Sequence, residues 1–160
     1  REELKNSRRK EMIGFRKIDP EVAMEKNTWF HLGRNSCEEI LYCLRRIADP
    51  CEEHVDNNFV PLSKEQVKEY IPLRDTVLFL LRRTEKILQT DSYDEVDEVR
   101  REAEELKDCL EKAREAQMQR MQSSKENITV AYLYLNLLQE TRELTSSLRH
   151  LLRASKGFRE

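Results

Sequence analysis

The sequence predicts an all-α protein, an antiparallel bundle of four long helices with an extra short helix at the N-terminus. Three observations predict it. Only three glycines and four prolines punctuate 160 residues, too few for the turns of a sheet protein of this length. Hydrophobic and charged residues each make up 38%, the balance of helices with one buried and one solvated face. Apolar residues also recur at steps of three and four through long stretches without a break.

Residues 1–18 read as a basic connecting helix, with Arg8, Arg9, Lys10, Arg16 and Lys17 outnumbering the acids. Either it is a solvated connector with Leu4, Met12, Ile13 and Phe15 touching the bundle, or it lies beside a membrane on anionic headgroups. Residues 19–160 form the bundle. Asp19-Pro20 is a strong helix start, a capping side chain followed by proline at the first helical position. The helix it opens runs to about Asn58, with an apolar seam of Cys37, Ile40/Leu41, Leu44, Ile47/Ala48, Cys51, Val55 and Phe59. Pro50 inside it removes one N–H.

Ser63-Lys-Glu-Gln66 has capping-box spacing and starts the next helix. That helix reaches about Gln89 and is expected to bury Val67, Ile71, Val77/Leu78, Leu81 and Leu88. Ser92-Tyr-Asp-Glu95 repeats the capping pattern. It opens a helix to about Gln122 with a thin stripe of Val96, Val99, Ala103, Leu106, Leu110 and Ala113. Dense charge around that stripe marks it as the most exposed helix, with Glu98–Glu102 and Glu111–Glu115 as unfavourable i,i+4 pairs. The last helix, Ile128 to Arg153, contains neither glycine nor proline. Val130, Tyr134, Leu137, Thr141, Leu144, Leu148 and Leu151 share one face, and from Val130 to Leu138 the helix is apolar almost all round, Asn136 excepted. Such a segment is stable only when neighbours surround it, so it is the central helix. Tight turns between long helices imply antiparallel neighbours, up-down-up-down.

The net charge of −2 argues against a nucleic acid partner. No run approaches the roughly 18 apolar residues of a membrane span, and no signal peptide is visible in these residues. A chain beginning at Arg1 without Met reads as a piece of something longer. The four cysteines lack C-x-x-C spacing and read as buried, reduced thiols acting as small hydrophobes. Asn127-Ile-Thr fits the glycosylation pattern by chance.

Phosphate loops and recognisable nucleophile motifs are absent, and no cofactor is expected. The one polar constellation with chemical potential is acidic. Asp49, Glu52/Glu53 and Asp56 share a helix face at i, i+3/i+4 and i+7, and Glu140, Glu143 and His150 form a comparable file on the central helix. Helix bundles build metal sites from such files, and the candidate ligands are Asp49, Glu53, Asp56 and Glu143. The E-x-x-H spacing of di-iron bundles is missing, and a solvated edge is the plainer reading.

Three stretches carry a family resemblance. They are Lys26-Asn-Thr-Trp-Phe-His-Leu32, Arg46-Ile-Ala-Asp-Pro-Cys51 continuing through His54-Val-Asp-Asn-Asn-Phe59, and Tyr134-Leu-Asn-Leu-Leu-Gln-Glu140 with Leu148-Arg-His-Leu-Leu-Arg-Ala154. Together they resemble the PhoU-like cytosolic region at the C-terminus of bacterial sodium/phosphate cotransporters. Arg46-Ile-Ala-Asp49 resembles half of the Glu-x-x-x-Asp motif that this family associates with metal clusters. The Glu position here is Arg45, and the second pair reads Gln139 and Glu143, so neither motif is intact. The resemblance implies a non-catalytic, regulatory bundle on the cytoplasmic face of the inner membrane, in an integral membrane protein. Its partners would be the transmembrane transporter domain of the same polypeptide, a second copy in a homodimer, and an anionic membrane surface. The rival reading is a free-standing metal-binding helical bundle; a purely structural dimerisation module is a third.

Overall fold

The computed structural model describes residues 20–123 and 126–160. The short N-terminal helix, the basic segment and the Asp19 cap lie outside them. Four helices follow one another: α1 (Pro20–Asp56), α2 (Lys64–Thr90), α3 (Val96–Ser123) and α4 (Ile128–Arg159). No strand occurs among the described residues. The class is all-α, as the composition and periodicity predict.

α4 is the centre. It packs against each of the other three helices, and all seven residues of its predicted seam are buried. Ala131, Leu138 and Leu152, a heptad series beside that seam, are buried too, because α4 needs cover on more than one side. Two threonines inside this helix satisfy their own hydroxyls. Thr141 donates to Leu137 O at 2.7 Å and Thr145 to Thr141 O at 2.8 Å, which removes the cost of burying an unpaired donor. Asn127 serves as the N-cap, its Oδ1 accepting from Val130 N at 3.2 Å.

Cross-helix contacts fix the directions. Arg46 meets Glu140 and Lys26 meets Phe158, so α1 runs antiparallel to α4. Gln66 meets Gln117 and Arg83 meets Glu102, so α2 and α3 are antiparallel. The alternation expected of the bundle therefore holds. Its neighbours are another matter. α1 and α2 follow each other in the chain yet do not pack together; α1 rests on α4 alone, while α2, α3 and α4 all pack on one another.

Two seams sit one residue away from expectation. On α2 the expected Val77 is buried and Leu81 packs against the core, but Gln66, Leu80, Thr84 and Ile87 are the other buried positions, while Val67, Ile71, Leu78 and Leu88 are exposed. On α1 the buried positions are Ser36, Cys43 and His54, with Ile40 and Ile47 packed against the core; Leu41, Leu44, Val55 and Phe59 are exposed. Both helices carry two adjacent apolar stripes, and the neglected stripe on α2 includes Gln66 and Tyr70, which find partners in Gln117 and Thr141. The most exposed helix is consequently α1. α3 buries its entire predicted stripe and adds Gln117.

The helix ends follow local chemistry. Ser63 forms the predicted capping box with Gln66, through Gln66 N to Ser63 Oγ at 3.1 Å and Ser63 N to Gln66 Oε1 at 2.9 Å. α3 starts at Val96, later than the Ser92 pattern suggests, after a turn closed by Val96 N to Tyr93 O. Asp91 ends α2 in the left-handed region, φ 59°, where a side chain costs about 1 kcal/mol. Arg159 from the end of α4 donates to its carbonyl and pairs with its carboxylate. The Glu98–Glu102 repulsion is relieved by Arg83 of α2, which binds Glu95, Glu98 and Glu102 together. Glu111 is drawn instead to Arg114 and Arg142.

The register of α2 is checked by two neighbouring truncations. Leu80→Ala is expected to destabilise the fold by about 2–5 kcal/mol, since Leu80 is fully enclosed. Phe79→Ala, one position away and half exposed, is expected to cost no more than about 1 kcal/mol. Denaturant melts of the two variants decide the register, and equal losses would mean that the seam is misplaced.

Candidate functional site

The strongest polar feature joins α1 to α4. Arg46 is half exposed, but its guanidinium reaches inward. Its Nε donates to Glu140 Oε2 at 2.7 Å and its Nη2 to Glu39 Oε1 at 2.7 Å. Asn136, the single polar break in the apolar part of α4, donates to the Arg46 carbonyl at 3.0 Å. The main chain and side chain of one residue thus hold two helices in register. Glu140 is the more valuable carboxylate, being nearly buried where Glu39 is exposed; screening by water weakens the Glu39 bond. Bonds to both carboxylates hold the guanidinium protonated, raising it further above its ordinary range.

Cys43 lies beneath this strap, fully buried, its Sγ 3.4 Å from Arg46 Nη2. Burial pushes its thiol up to about 11, against the opposing pull of Arg46, so the thiolate that nucleophilic chemistry requires is absent near neutrality. Cys37 and Cys51 are half-buried and likewise raised, both chiefly by desolvation. Cys109 departs from the expectation of buried thiols: it is exposed on the outer side of α3. All four are free.

The proposed metal ligands fall as follows. Asp49, Glu53 and Asp56 lie on the exposed surface of α1. Glu143 is on α4, where its Oε1 accepts from Gln139 Nε2 at 2.8 Å and approaches Arg142. Among the described residues no three His, Cys, Asp or Glu side chains are grouped closely enough to hold a metal ion. The file shares one helix face but stays exposed; Glu53 borders a depression against Thr129, Tyr132 and Asn136 of α4, none of them an acidic or histidine ligand. His54 is instead buried; its Nε2 sits 2.7 Å from Val60 O and its ring packs at a tilt on Phe59. It fixes the α1–α2 connection.

A second polar group went unread in the sequence. Gln66, Gln117, Arg120, Glu69 and Glu126 interlock where α2 begins and α3 ends. Gln66 Nε2 donates to Gln117 Oε1 at 3.2 Å, Gln117 Nε2 to Glu126 Oε2 at 2.6 Å, and Arg120 Nη1 to Glu69 Oε2 at 3.0 Å. The signal was available: Gln117 continues the 96/99/103/106/110/113 spacing by one more step. Tyr134 lies beside this group, and burial, followed by the Glu69 charge, pushes its phenol well above its ordinary value.

At the opposite end of the bundle Trp29 wedges between α1 and α4. A Cβ at Gly157 would come within 2.5 Å of the indole, so glycine is what lets the ring lie on the α4 backbone. Depressions of about 480 and 520 Å³ flank it. The second gathers Ser36, Ser147, His150 and Glu39. Yet Ser36 Oγ donates to Leu32 O and Glu39 is bound to Arg46. Among the described residues no hydrogen bond links His150 to either serine, so the group lacks a nucleophile–base pair.

No helix among the described residues is long and apolar enough to cross a membrane. Comparison of the chain with known protein families, with characterised proteins and with solved structures finds no match.

Three measurements test this geometry. Glu140→Ala is expected to cost on the order of 1–3 kcal/mol by leaving Arg46 without its sheltered partner, and Glu39→Ala under about 1 kcal/mol. Comparable losses would show that both carboxylates are solvated. Thiol labelling should modify Cys109 in the native protein and Cys43 only on unfolding; rapid native labelling of Cys43 would contradict its enclosure. Gly157→Ala should displace the only tryptophan and shift its emission to the red, and an unchanged spectrum would place the ring elsewhere.

Proposed function

We propose that the chain is a non-catalytic regulatory bundle, the cytosolic part of a sodium-dependent phosphate transporter. One observation supports this most. The separate stretches that resemble the PhoU-like region meet in space: Arg46 comes from one and Asn136 and Glu140 from another, and the three form a single strap between α1 and α4. A resemblance whose parts assemble into one interface is better supported than one scattered over a surface.

In this reading the bundle senses or transmits, and solute moves through membrane helices elsewhere in the polypeptide. Arg46 joins α1 to α4 through its carbonyl and its guanidinium, so a rearrangement of the strap would alter how these two helices meet.

The test is uptake of labelled phosphate by cells lacking their own carriers and expressing the full-length gene. Accumulation is expected in sodium and not in choline. Glu140→Ala should alter the regulation of uptake, seen in its maximal rate or half-saturation, without abolishing it. Absence of sodium-dependent accumulation would refute the reading. Elemental analysis of the purified bundle adds a check: iron, zinc and manganese should be below one equivalent. A stoichiometric metal lost on Asp49→Ala or Glu143→Ala would favour the metalloprotein instead.

A further inference from the structure

Where the first half of α1 meets the end of α4, the depression of about 520 Å³ beside Trp29 holds polar groups that the fold leaves unused. Its volume falls in the range of small-molecule sites, roughly 300–1,000 Å³, and exceeds what an inorganic anion fills. One wall is apolar, made by Trp29, Leu32 and Ala154. The floor includes Ser36 and Ser147, both buried. Ser36, like Thr141 and Thr145, turns its hydroxyl to the carbonyl four residues back. Ser147 does not: 5% exposed, it makes no hydrogen bond among the described residues. A buried hydroxyl without a partner costs stability unless something in the depression pairs with it.

The rim carries three more uncommitted groups. Asn35, His150 and Arg153 are exposed side chains of the lining, and none makes a hydrogen bond or an ion pair among the described residues. Arg153 is nevertheless held in place, its guanidinium 6.0 Å from the centre of the Trp29 ring. The one carboxylate in the lining, Glu39, already answers Arg46. What remains free is one full positive charge and a set of hydrogen-bond donors beside an apolar wall. We propose that this depression binds a small organic oxyanion, a carboxylate or phosphate monoester whose flat apolar body lies against Trp29 and Leu32. The guanidinium fork of Arg153 suits two oxygens of such a group, and Asn35, Ser147 and His150 supply further donors.

A cationic ligand is the poorer fit. The Trp29 ring already carries Arg153, and the Glu39 carboxylate is engaged. A purely apolar ligand would leave Ser147 as it is. The neighbouring depression of about 480 Å³ differs, because its charges are paired, Arg34 with Glu38 and Arg159 with Asp91; it offers an anion no free cation. The inference stands apart from the transporter reading. Binding is read on the purified chain alone, and phosphate uptake by cells can succeed or fail without touching it.

Calorimetric titration of the purified chain with 3-phenylpropionate and with phenyl phosphate is the test, and the emission of Trp29, the only tryptophan, reports the place. At least one of these anions is expected to saturate with a Kd below about 1 mM and to shift that emission. The neutral 3-phenylpropanol, the cationic phenethylammonium and inorganic phosphate should each bind about tenfold more weakly or less. Arg153→Gln is expected to weaken the anion about tenfold, and Ser147→Ala to weaken it measurably, with helicity unchanged. Should Ser147→Ala lose helicity, Asn35→Ala, at the exposed rim, takes its place. Phe30→Leu, in the lining of the neighbouring depression, should leave binding intact. A preference for either anion supports the proposal and says which headgroup the site takes. No saturation by either at about 10 mM would overturn it. So would a neutral or cationic probe that binds as tightly as the anions, or an affinity unchanged in Arg153→Gln. Inorganic phosphate matching phenyl phosphate would overturn its organic half.

Discussion

The structure depends on a requirement of α4. A helix with apolar residues on nearly every side in its first half cannot face water, and each of the other helices is placed to meet that need. Burial of this kind stabilises by roughly 25 cal/mol for each Å² withdrawn from solvent, so losing any neighbour would strip a whole face. α2 and α3 pack on each other and on α4, while α1 lies along α4 alone in the most extensive helix pairing of the fold. That division explains why α1, although longest, has the fewest enclosed side chains.

Polar residues inside the bundle settle what apolar packing leaves open. Leucine-rich seams tolerate a slip of one residue or one turn, since one leucine replaces another at little cost. Gln66 against Gln117, Tyr70 against Thr141 at 2.8 Å, and Arg46 against Glu140 do not tolerate it. A displaced register would strand these groups without partners, at about 1–3 kcal/mol each. Their contribution is to choose one alignment among several with similar apolar area.

This also accounts for what the sequence disclosed and what it withheld. The seams of α3 and α4 were legible residue by residue, because α3 has a single apolar stripe and α4 is enclosed whichever stripe is chosen. α1 and α2 each offer two stripes one position apart, and hydrophobicity alone favours the wrong one on α2. Leu78 outranks Thr84 on any such scale, yet Thr84 is inside. The alliance of Arg46 with Glu140 was hidden for a different reason. The residues are 94 positions apart, and spacing arguments reach only along one helix. The acidic file of Asp49, Glu53 and Asp56 was placed on one face, but nothing local to it could say that no ligand from another helix joins it among the described residues.

The lone attachment of α1 has a bearing on how the chain folds. The hairpins α2–α3 and α3–α4 join segments that follow one another directly, so their contacts close short loops. α1 instead meets α4 across contacts such as Lys26 with Phe158, 132 residues apart in the chain. Closing so long a loop is entropically expensive until its destination exists. Loop closure alone therefore favours the α2–α3 and α3–α4 hairpins forming before α1 closes on α4. Anything synthesised ahead of α1 waits on the completion of α4 before its own anchor is fixed.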